Sequence, residues 1–319
     1  MKEFSFTGAW ASGIRFFSGA ALGHAILLIG LGVLLPIVVQ VLLFGRATVM
    51  MNAAAPGAAP DRDMVQLVTI AGFVLQTGSF FASWRLGFAR GETLGRALLF
   101  GLLAGLMVSA GLAVVLVVIG LAFAMITPLV AAAAVMIAFV GLFAIAWTVY
   151  AALFAVAVWL LFLVSLAVGA MAGDLTFAAT VVGGSGFVWT FLIAASLVLL
   201  WLAGRLSCTA VLMAERRSFN VVGAMRESWA LTWDDEWRIV RYLALLGLVM
   251  AVAMAGVMAA GGAGLVASVT RGSESMGGTV LGILLLALSI PLAYLSVLVP
   301  AGIYRELAPA DVAAAEVFA

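Results

Sequence analysis

Long runs of apolar residues that contain no charged side chain recur throughout this sequence and constrain its fold more than any other feature. Uninterrupted apolar runs of about 18 or more residues are typical of helices that cross a lipid bilayer. Charged residues make up only 9% of the 319 residues and hydrophobic residues 66%, whereas a soluble globular domain carries about 25% charged residues. The sequence therefore excludes a soluble globular domain and predicts an all-α, polytopic membrane protein.

The lengths of these runs predict about eight transmembrane helices, or about six if the middle of the chain is divided differently. The predicted spans cover residues 20–44, 64–84, 97–126, two segments within 129–172, 187–204, 239–260 and 280–299. Residues 129–172 are too many for one spanning helix, so we expect a break near Trp147 to Tyr150, where aromatic residues suit a membrane interface. Pro36 predicts a kink in the first span, which is too long for a signal peptide.

The distribution of positive charge indicates how the chain is oriented. The basic clusters are Lys2 with Arg15; Arg85, Arg90 and Arg96; Arg205, Arg216, Arg217, Arg226, Arg238 and Arg241; and Arg305. All four clusters fall on one side with either span count, and the positive-inside rule assigns that side to the cytoplasm. Both termini are therefore predicted to be cytoplasmic. In this assignment Arg85 belongs to a loop, and Arg205 opens the polar segment after residues 187–204.

The segment 218–241 is the most densely charged part of the chain and has the pattern of an amphipathic helix. Val221, Met225 and Trp229 fall on one stripe at 100° per residue, with Arg226 on the flank. Asn220 is a suitable N-cap, and Asp234 could begin a second helix that continues into the next span. An apolar stripe that includes tryptophan predicts a helix that lies in the cytoplasmic membrane interface.

The N-terminal segment 4–18 has the same pattern, which predicts an internal repeat. Aligning Phe4 with Phe219 places the capping residue Ser5 on Asn220, and Gly8-Ala9 on Gly223-Ala224. A weaker third copy begins at residue 93. We therefore expect one integral membrane domain over 1–319. Residues 1–90 would form a first unit of interfacial helix plus hairpin, 91–204 the middle spans, and 205–319 a second unit.

Few side chains suggest chemistry. His24 is the single histidine, and we expect it to be hydrogen-bonded to a neighbouring helix rather than to relay protons. The consecutive carboxylates 234–236 diverge by about 100° each on a helix, so capping is favoured over metal binding. Cys208 is the only cysteine, which excludes a disulfide framework. We predict no catalytic, cofactor-binding or metal-binding residues.

The remaining polar and glycine patterns have two explanations each. Gln40, Gln66, Gln76 and Ser109 lie inside predicted spans and could line a passage or form hydrogen bonds between helices. Glycine pairs at helical spacing, such as Gly101 and Gly105, permit close helix contact, and packing within one chain is favoured over dimerisation.

The predicted interfacial helices and their flanks supply the candidate binding residues. The candidate headgroup or interface contacts are Trp10, Arg15, Arg216, Arg217, Arg226, Trp229 and Arg238. Each arginine near an anionic membrane surface contributes about 1 kcal/mol. The expected partners are therefore membrane lipids with anionic headgroups, with a membrane or cytoplasmic protein as a further possibility. The balance of 15 basic to 14 acidic residues does not indicate a nucleic acid, and none is expected.

The segment 205–241 resembles a family of bacterial polytopic inner-membrane proteins that includes the membrane domain of glycerophosphoryl diester phosphodiesterases. The similarity lies in Arg205, in 210–216 (AVLMAER), in 223–232 (GAMRESWALT) and in Trp237-Arg238. Gly8-Ala9-Trp10 and Tyr304-Arg305 also fit the family pattern. The chain departs from it at 233–236, where the family usually has a basic residue, glycine and asparagine, and in an extra hairpin within 129–204.

The resemblance implies a multi-span inner-membrane module of unknown biochemical role. The family name does not imply hydrolase activity here, because no phosphodiesterase domain accompanies the segment. The favoured hypothesis is a non-enzymatic module that organises lipid or a partner. A transporter or lipid translocator with its path between the repeat units is the alternative, and an enzyme acting on lipid is the least favoured.

Overall fold

The computed structural model describes residues 4–49, 62–89, 91–125, 144–171, 186–270 and 274–308. Those ranges are helical apart from short turns and contain no strand. The helices are α1 Phe6–Ser18, α2 Ala21–Ala25, a π-helical segment Ile26–Leu34, α3 Leu35–Val49, α4 Arg62–Phe88, α5 Leu94–Met125, α6 Thr148–Met171, α7 Gly186–Leu206, α8 Thr209–Arg216, α9 Val221–Leu231, α10 Glu236–Thr270 and α11 Glu274–Leu307. The prediction of an all-α protein is therefore confirmed.

Six helical segments within the described residues are long and apolar enough to cross a membrane. They are Ala21–Leu43, Met64–Phe88, Leu94–Val114, Leu192–Arg216, Glu236–Ala260 and Ile283–Leu307. A shorter apolar helix covers Thr148–Val164. The additional span expected between residues 129 and 147 and the loop expected at 173–186 fall almost entirely outside the described ranges. The chain is a multi-pass helical membrane protein.

The first span is irregular before Pro36, and Pro36 itself lies in the first turn of α3, where proline is tolerated. Its π-helical segment runs from Ile26 to Leu34 and ends two residues before the proline. Proline has no N–H to donate, and helices accept it best in the first turn for that reason. The wider π turns place the distortion within the span at Ile26–Leu34.

The centre of the bundle is formed by the C-terminal half of α7 together with α8. In the most apolar 18-residue stretch of Leu192–Arg216, 83% is buried inside the protein, against 22–39% in the corresponding stretches of the other five candidate spans. Residues 202–214 are buried without exception, including the turn at Ser207-Cys208 that separates the two helices. Helices α4, α6, α9, α10 and α11 pack against this segment, and the other spans turn much of their apolar surface outward.

Three glycines bring α4 and α5 into backbone contact. A Cβ on Gly105 would lie 2.7 Å from the amide nitrogen of Gly78, and one on Gly101 would meet the Gly78 carbonyl oxygen. Side chains at these positions would separate the helices, because backbone atoms cannot turn away as side chains do. The predicted use of Gly101 and Gly105 for packing within the chain is confirmed.

Helix α1 packs lengthwise on the C-terminal half of α11. Ala9 lies against Gly302, Gly13 against Leu298, and Phe17 against Tyr294. Each step is four residues on both helices, so α1 runs antiparallel to α11 along the same ridge. The inner side of α1 is thus fixed by a spanning helix, while Phe6, Trp10 and Ile14 point outward. This orientation along α11 differs from the expected one, in which 4–18 lies in the plane of the membrane interface.

The two N-caps predicted from the aligned segments are confirmed. Ser5 Oγ accepts a hydrogen bond from the amide of Gly8 at 3.2 Å, and Asn220 Oδ1 accepts one from the amide of Gly223 at 2.9 Å. Both caps therefore bind the amide three residues ahead. The third copy expected at residue 93 does not form a separate short helix, because α5 runs unbroken from Leu94.

The predicted helix break near Trp147 is present, although its physical reason is different. Trp147 is buried, stacks on Phe73 at 5.0 Å and donates from Nε1 to Thr77 Oγ1 at 3.2 Å. Thr77 lies near the middle of the span Met64–Phe88. The break is therefore inside the bundle at mid-depth, and the expectation that these aromatic residues mark an interface is wrong.

Candidate functional site

Three arginines stand at the C-terminal ends of three long helices, where α1, α8 and α9 also meet. Arg85 ends α4, Arg205 ends α7 and Arg305 ends α11. Arg85 and Arg205 are buried, with 2% and 3% of their surface exposed. A buried charge is costly unless it is paired, so the partners of these arginines decide what each one does. We call this region the charged end.

The Arg85 guanidinium is saturated with hydrogen bonds. Its Nε and Nη2 both donate to Glu92 Oε2, at 2.8 and 2.5 Å. Its Nη1 donates to the carbonyl oxygens of Ala214 and Glu215, at 2.7 and 2.9 Å. These carbonyls end α8, so the cation lies at the negative end of that helix dipole. The arrangement holds α8 against α4 and identifies Arg85 as a structural residue.

Glu92 and Glu215 extend this network to two further elements. Glu92 Oε2 also accepts a hydrogen bond from Arg217 Nη2 at 2.8 Å, and Arg217 ends α8 in the left-handed conformation with φ of 52°. Tyr304 of α11 donates from its hydroxyl to Glu215 Oε2 at 2.5 Å. One carboxylate oxygen of Glu92 thus receives three charge-assisted hydrogen bonds.

Arg205 lies among tryptophans. Its guanidinium carbon is 4.6 Å from the ring centroid of Trp233, 5.0 Å from that of Trp229 and 5.9 Å from that of Trp201. Nη2 forms an ion pair with Glu236 Oε2. The Arg205 carbonyl accepts a hydrogen bond from Ser228 Oγ at 2.8 Å, which fixes the backbone against α9. We call Arg205, the three tryptophans and Glu236 the Arg205 site.

Arg305 joins α11 to α1 and α4 through aromatic rings. Its guanidinium carbon lies 5.5 Å from the ring centroid of Phe16 and 5.2 Å from that of Phe88. The carboxylate of the neighbouring Glu306 fills the space beside Gly8, where a Cβ would approach it to 2.7 Å. This places a negative charge beside the first turn of α1, which complements the helix dipole.

Most of the predicted headgroup contacts are exposed at the charged end. Trp10 and Arg15 lie on the outer side of α1, and Arg226 is exposed on α9. The side chains of Arg216 and Arg217 are 55% and 61% exposed, although each forms an ion pair, with Glu227 and Glu92 respectively. The structure therefore brings these predicted residues together at one end of the bundle.

Trp229 differs from the expectation that it contacts headgroups directly. It is only half-buried, but its ring meets Trp201 edge-on at 5.2 Å and lies over Arg205. Val221 and Met225 of the same stripe also pack against the core. The stripe is directed inward because α9 packs on the end of α7, and Val222 and Arg226 occupy the outer side instead.

The three consecutive carboxylates have different surroundings, and only Glu236 is helical, because Asp234 and Asp235 lie in the turn before α10. Asp235 Oδ1 accepts from Arg238 Nη1 at 2.9 Å and from the amide of Phe4 at 3.3 Å, whereas Glu236 pairs with Arg205. Asp234 is exposed. Helix α10 begins at Glu236, so Asp235 rather than Asp234 precedes its first turn. No group of three or more potential metal ligands occurs among the described residues.

The hydrogen bond expected between His24 and a neighbouring helix is confirmed. Its Nδ1 lies 2.5 Å from Ser83 Oγ of α4, and the rings of Phe16 and Phe17 pack on it at 5.0 and 4.7 Å. Gln76 likewise donates from Nε2 to the Tyr150 hydroxyl at 3.4 Å. Both polar side chains therefore form hydrogen bonds between helices. For Gln76 this is the second of the two explanations given above, the first being that it lines a passage.

Sequence reasoning missed the burial of Arg85 and Arg205, which it assigned to loops. The structure continues α4 to Phe88 and α7 to Leu206, so both arginines are helical and face the core. The sequence contains a pattern that could have indicated this burial. Each arginine follows an aromatic residue: Arg85 directly follows Trp84, Arg305 directly follows Tyr304, and Arg205 lies four positions after Trp201. An arginine that follows an aromatic residue at the end of an apolar run indicates a packed helix end.

Comparison with known proteins adds no assignment: no family model, no curated protein and no solved structure matches the chain. The charged end therefore has to be interpreted from its own geometry. Its distinguishing feature is the contrast between saturated Arg85 and Arg205, whose guanidinium is enclosed mainly by tryptophan rings.

Proposed function

We propose that the protein is a non-enzymatic module of the bacterial inner membrane that organises anionic lipids, or a partner that carries similar charge, at its charged end. The observation that carries this proposal is the position of exposed arginines beside exposed tryptophans. Both termini would then lie in the cytoplasm, in keeping with the positive-inside rule. The resemblance to the membrane domain of glycerophosphoryl diester phosphodiesterases supports only the multi-span membrane module in this proposal.

The exposed tryptophans support a membrane boundary at this end. Trp233 and Trp237 are 61% and 63% exposed, and Trp10 is 40% exposed. Arg226 and Arg241 are exposed in the same region. Tryptophan is enriched at the level of lipid headgroups because its ring is apolar and its N–H polar. Arginine binds the phosphate of a headgroup with two parallel hydrogen bonds.

The ion pairs at this surface do not prevent lipid binding. Arg216 pairs with Glu227, whose side chain is 32% exposed. Exposed pairs of this kind contribute about 0–1 kcal/mol, so a headgroup phosphate can replace the carboxylate. Arg226 is exposed and makes no ion pair within the described residues. The surface therefore offers at least two arginines whose charge is available to an anion.

The outer side of α1 supports the same boundary. Phe6, Trp10 and Ile14 are exposed on one stripe, and Arg15 lies next to it. Because α1 follows the spanning helix α11, this stripe would contact lipid along the side of the bundle near the charged end. Since the opposite side of α1 packs on α11, lipid contact at Trp10 would hold α1 in this position.

Replacing Trp10 with glutamate is expected to make α1 more accessible to protease without preventing membrane insertion. The substitution places a carboxylate on the lipid-facing stripe and repels anionic headgroups. Limited trypsin digestion in phosphatidylglycerol-containing vesicles should show faster cleavage after Arg15 than in the unaltered protein. Trp10→Phe, which keeps an uncharged aromatic ring at the same position, is the control and should be cleaved like the unaltered protein. Equal cleavage rates in all three proteins would argue against lipid contact at Trp10.

The proposal is tested directly by native mass spectrometry of gently extracted protein. We expect a stoichiometric anionic lipid to remain bound, and the variant R216Q/R217Q/R226Q to lose most of it. The matched variant R216K/R217K/R226K keeps the charge and should retain partial binding. A protein that carries zwitterionic and anionic lipids in the proportion of the membrane would refute the proposal. A bound polypeptide in place of lipid would instead indicate a partner-binding scaffold.

A lipid translocator is the second candidate, favoured by the helix break at Trp147. Non-helical backbone at membrane depth occurs where it is buried in protein or lines a path. The test is the rate at which fluorescent phosphatidylglycerol moves between the leaflets of proteoliposomes. A rate higher than in protein-free vesicles would support this function. Transfer at the protein-free rate would exclude it.

A further inference from the structure

The Arg205 guanidinium has fewer hydrogen-bond partners than its burial requires. Its side chain is 3% exposed. Nη2 pairs with Glu236, Nη1 has one long hydrogen bond of 3.5 Å to the Trp229 carbonyl, and Nε has no hydrogen-bond partner among the described residues. Arginine carries five N–H donors in a planar fork. The edge formed by Nε and Nη2, which binds two oxygen atoms side by side, is therefore only half used.

Arg85 shows what a purely structural arginine in this protein looks like. The same edge of its guanidinium, Nε and Nη2, binds Glu92, and its Nη1 binds two backbone carbonyls. Both arginines end a long helix and have nearly the same exposure. Burial alone therefore does not explain the missing partner at Arg205, since the chain satisfies an equivalent residue fully.

The surroundings of Arg205 strengthen the binding of an anion and also give access to it. Tryptophan rings attract the cation through their faces and exclude water, which lowers the local dielectric constant and strengthens charge interactions. Trp233, which lies closest to the guanidinium carbon, is 61% exposed, and the Glu236 side chain is 23% exposed. The site is thus covered by one exposed ring and one partly exposed carboxylate.

We propose that Arg205 binds the phosphate group of an anionic lipid headgroup, and that Glu236 occupies the position of that phosphate in the present structure. This rests on the lipid-organising function proposed above and assigns it a specific site. The phosphate replaces Glu236 and supplies one oxygen to Nη2 and a second to Nε. Trp233 moves aside as the headgroup enters, and Trp229 and Trp201 form the remaining walls.

The chemistry of the site favours a phosphate over a cation. A headgroup phosphate presents two oxygens at the spacing of the guanidinium fork, and arginine recognises this geometry with two parallel bonds. A quaternary ammonium group, the usual occupant of an aromatic cage, would meet the positive charge of Arg205. A headgroup phosphodiester carries the same single charge as Glu236, so its advantage is that it binds both Nε and Nη2, where Glu236 binds Nη2 alone.

The test titrates the full-length protein in detergent with dioctanoyl phosphatidylglycerol, followed by tryptophan fluorescence and by native mass spectrometry. Glu236→Gln keeps the shape but removes the competing charge, and we expect it to bind about tenfold more tightly, the effect of one charge-assisted hydrogen bond. Asp234→Asn removes a charge of the same sign two positions away and should change the affinity little. Arg205→Lys loses the fork and should bind about tenfold more weakly.

A second pair of variants keeps the test decisive if Arg205→Lys does not fold. Trp233→Ala opens the site and removes one wall, whereas Trp237→Ala removes a ring of equal exposure that makes no contact with Arg205. We expect only Trp233→Ala to alter the affinity. Inorganic phosphate is titrated in parallel. Competition with the lipid at millimolar concentration would identify a site for free phosphate and overturn the lipid assignment.

The outcomes separate this site from the general function. If the unaltered protein prefers phosphatidylglycerol to phosphatidylcholine but Glu236→Gln and Trp233→Ala match their controls, the Arg205 site is refuted and the lipid-organising function stands. If the unaltered protein shows no preference and Glu236→Gln binds neither lipid, both are refuted. A preference that rises in Glu236→Gln but not in its control Asp234→Asn supports both.

Discussion

Replacing Glu92 with alanine is expected to lower the free energy of unfolding by about 3–5 kcal/mol, the usual effect of removing one partner of a buried ion pair. The side chains of Glu92 and Arg85 are both 3% exposed, so water cannot take over the lost contacts. Arg217 loses the same partner. The unpaired Arg85 would then be held only by the carbonyl groups that end α8, and the contact between α4 and α8 should loosen.

The effect is measured as the decrease in thermal unfolding midpoint of the detergent-solubilised protein. Glu227→Ala is the matched control, because its partner Arg216 is 55% exposed and such surface pairs contribute about 0–1 kcal/mol. We expect a large decrease for Glu92→Ala and almost none for Glu227→Ala. Equal midpoints for the two variants would contradict the structural role assigned to Arg85 and Glu92.

The second large effect is expected from Gly101→Ala in the contact between α4 and α5. The added methyl group would lie 2.6 Å from the amide nitrogen of Ala82 and against the carbonyl oxygen of Gly78. Both are backbone atoms of one helix, so the only relief is to move α4 away from α5. Overpacking of this kind costs about 3 kcal/mol, and the separated helices would also lose contacts along their length.

Gly95→Ala provides the control on the same helix. No atom lies within 4 Å of the position where its Cβ would be, and alanine is the better helix former by about 0.5–1 kcal/mol. Folded yield after size-exclusion chromatography and the thermal midpoint should fall for Gly101→Ala and stay level or rise for Gly95→Ala. Similar behaviour of both variants would show that α4 and α5 do not meet at Gly101.

Local features were well predicted from the sequence. Ser5 and Asn220 cap their helices as expected because an N-cap depends only on residues within the next turn. The contact of Gly101 follows from helical spacing, and the hydrogen bond of His24 follows from the cost of leaving a polar ring unpaired in an apolar span. These inferences needed only the periodicity of a helix and the chemistry of one side chain.

The candidate site was predicted only in part. The exposed arginines 216, 217 and 226 were identified, because positive charge at the end of an apolar run marks the cytoplasmic boundary. The Arg205 site was not, since its members come from α7, α9, the turn before α10 and α10 itself. Trp229 was expected to face lipid because its stripe is apolar, yet an apolar stripe can pack on lipid or on protein equally well.

By itself the sequence determined the fold class, the helical caps, and which end of the bundle carries the positive charge. Those properties depend on local hydrophobicity, periodicity and charge, which every stretch of chain carries regardless of its neighbours. Only the tertiary structure decided which arginines are buried and how each is satisfied. Arg85 and Arg205 have similar neighbours in sequence, but Arg85 contacts the end of α8 whereas Arg205 contacts tryptophan rings. The difference arises because the groups that surround each arginine come from helices that are distant in the chain.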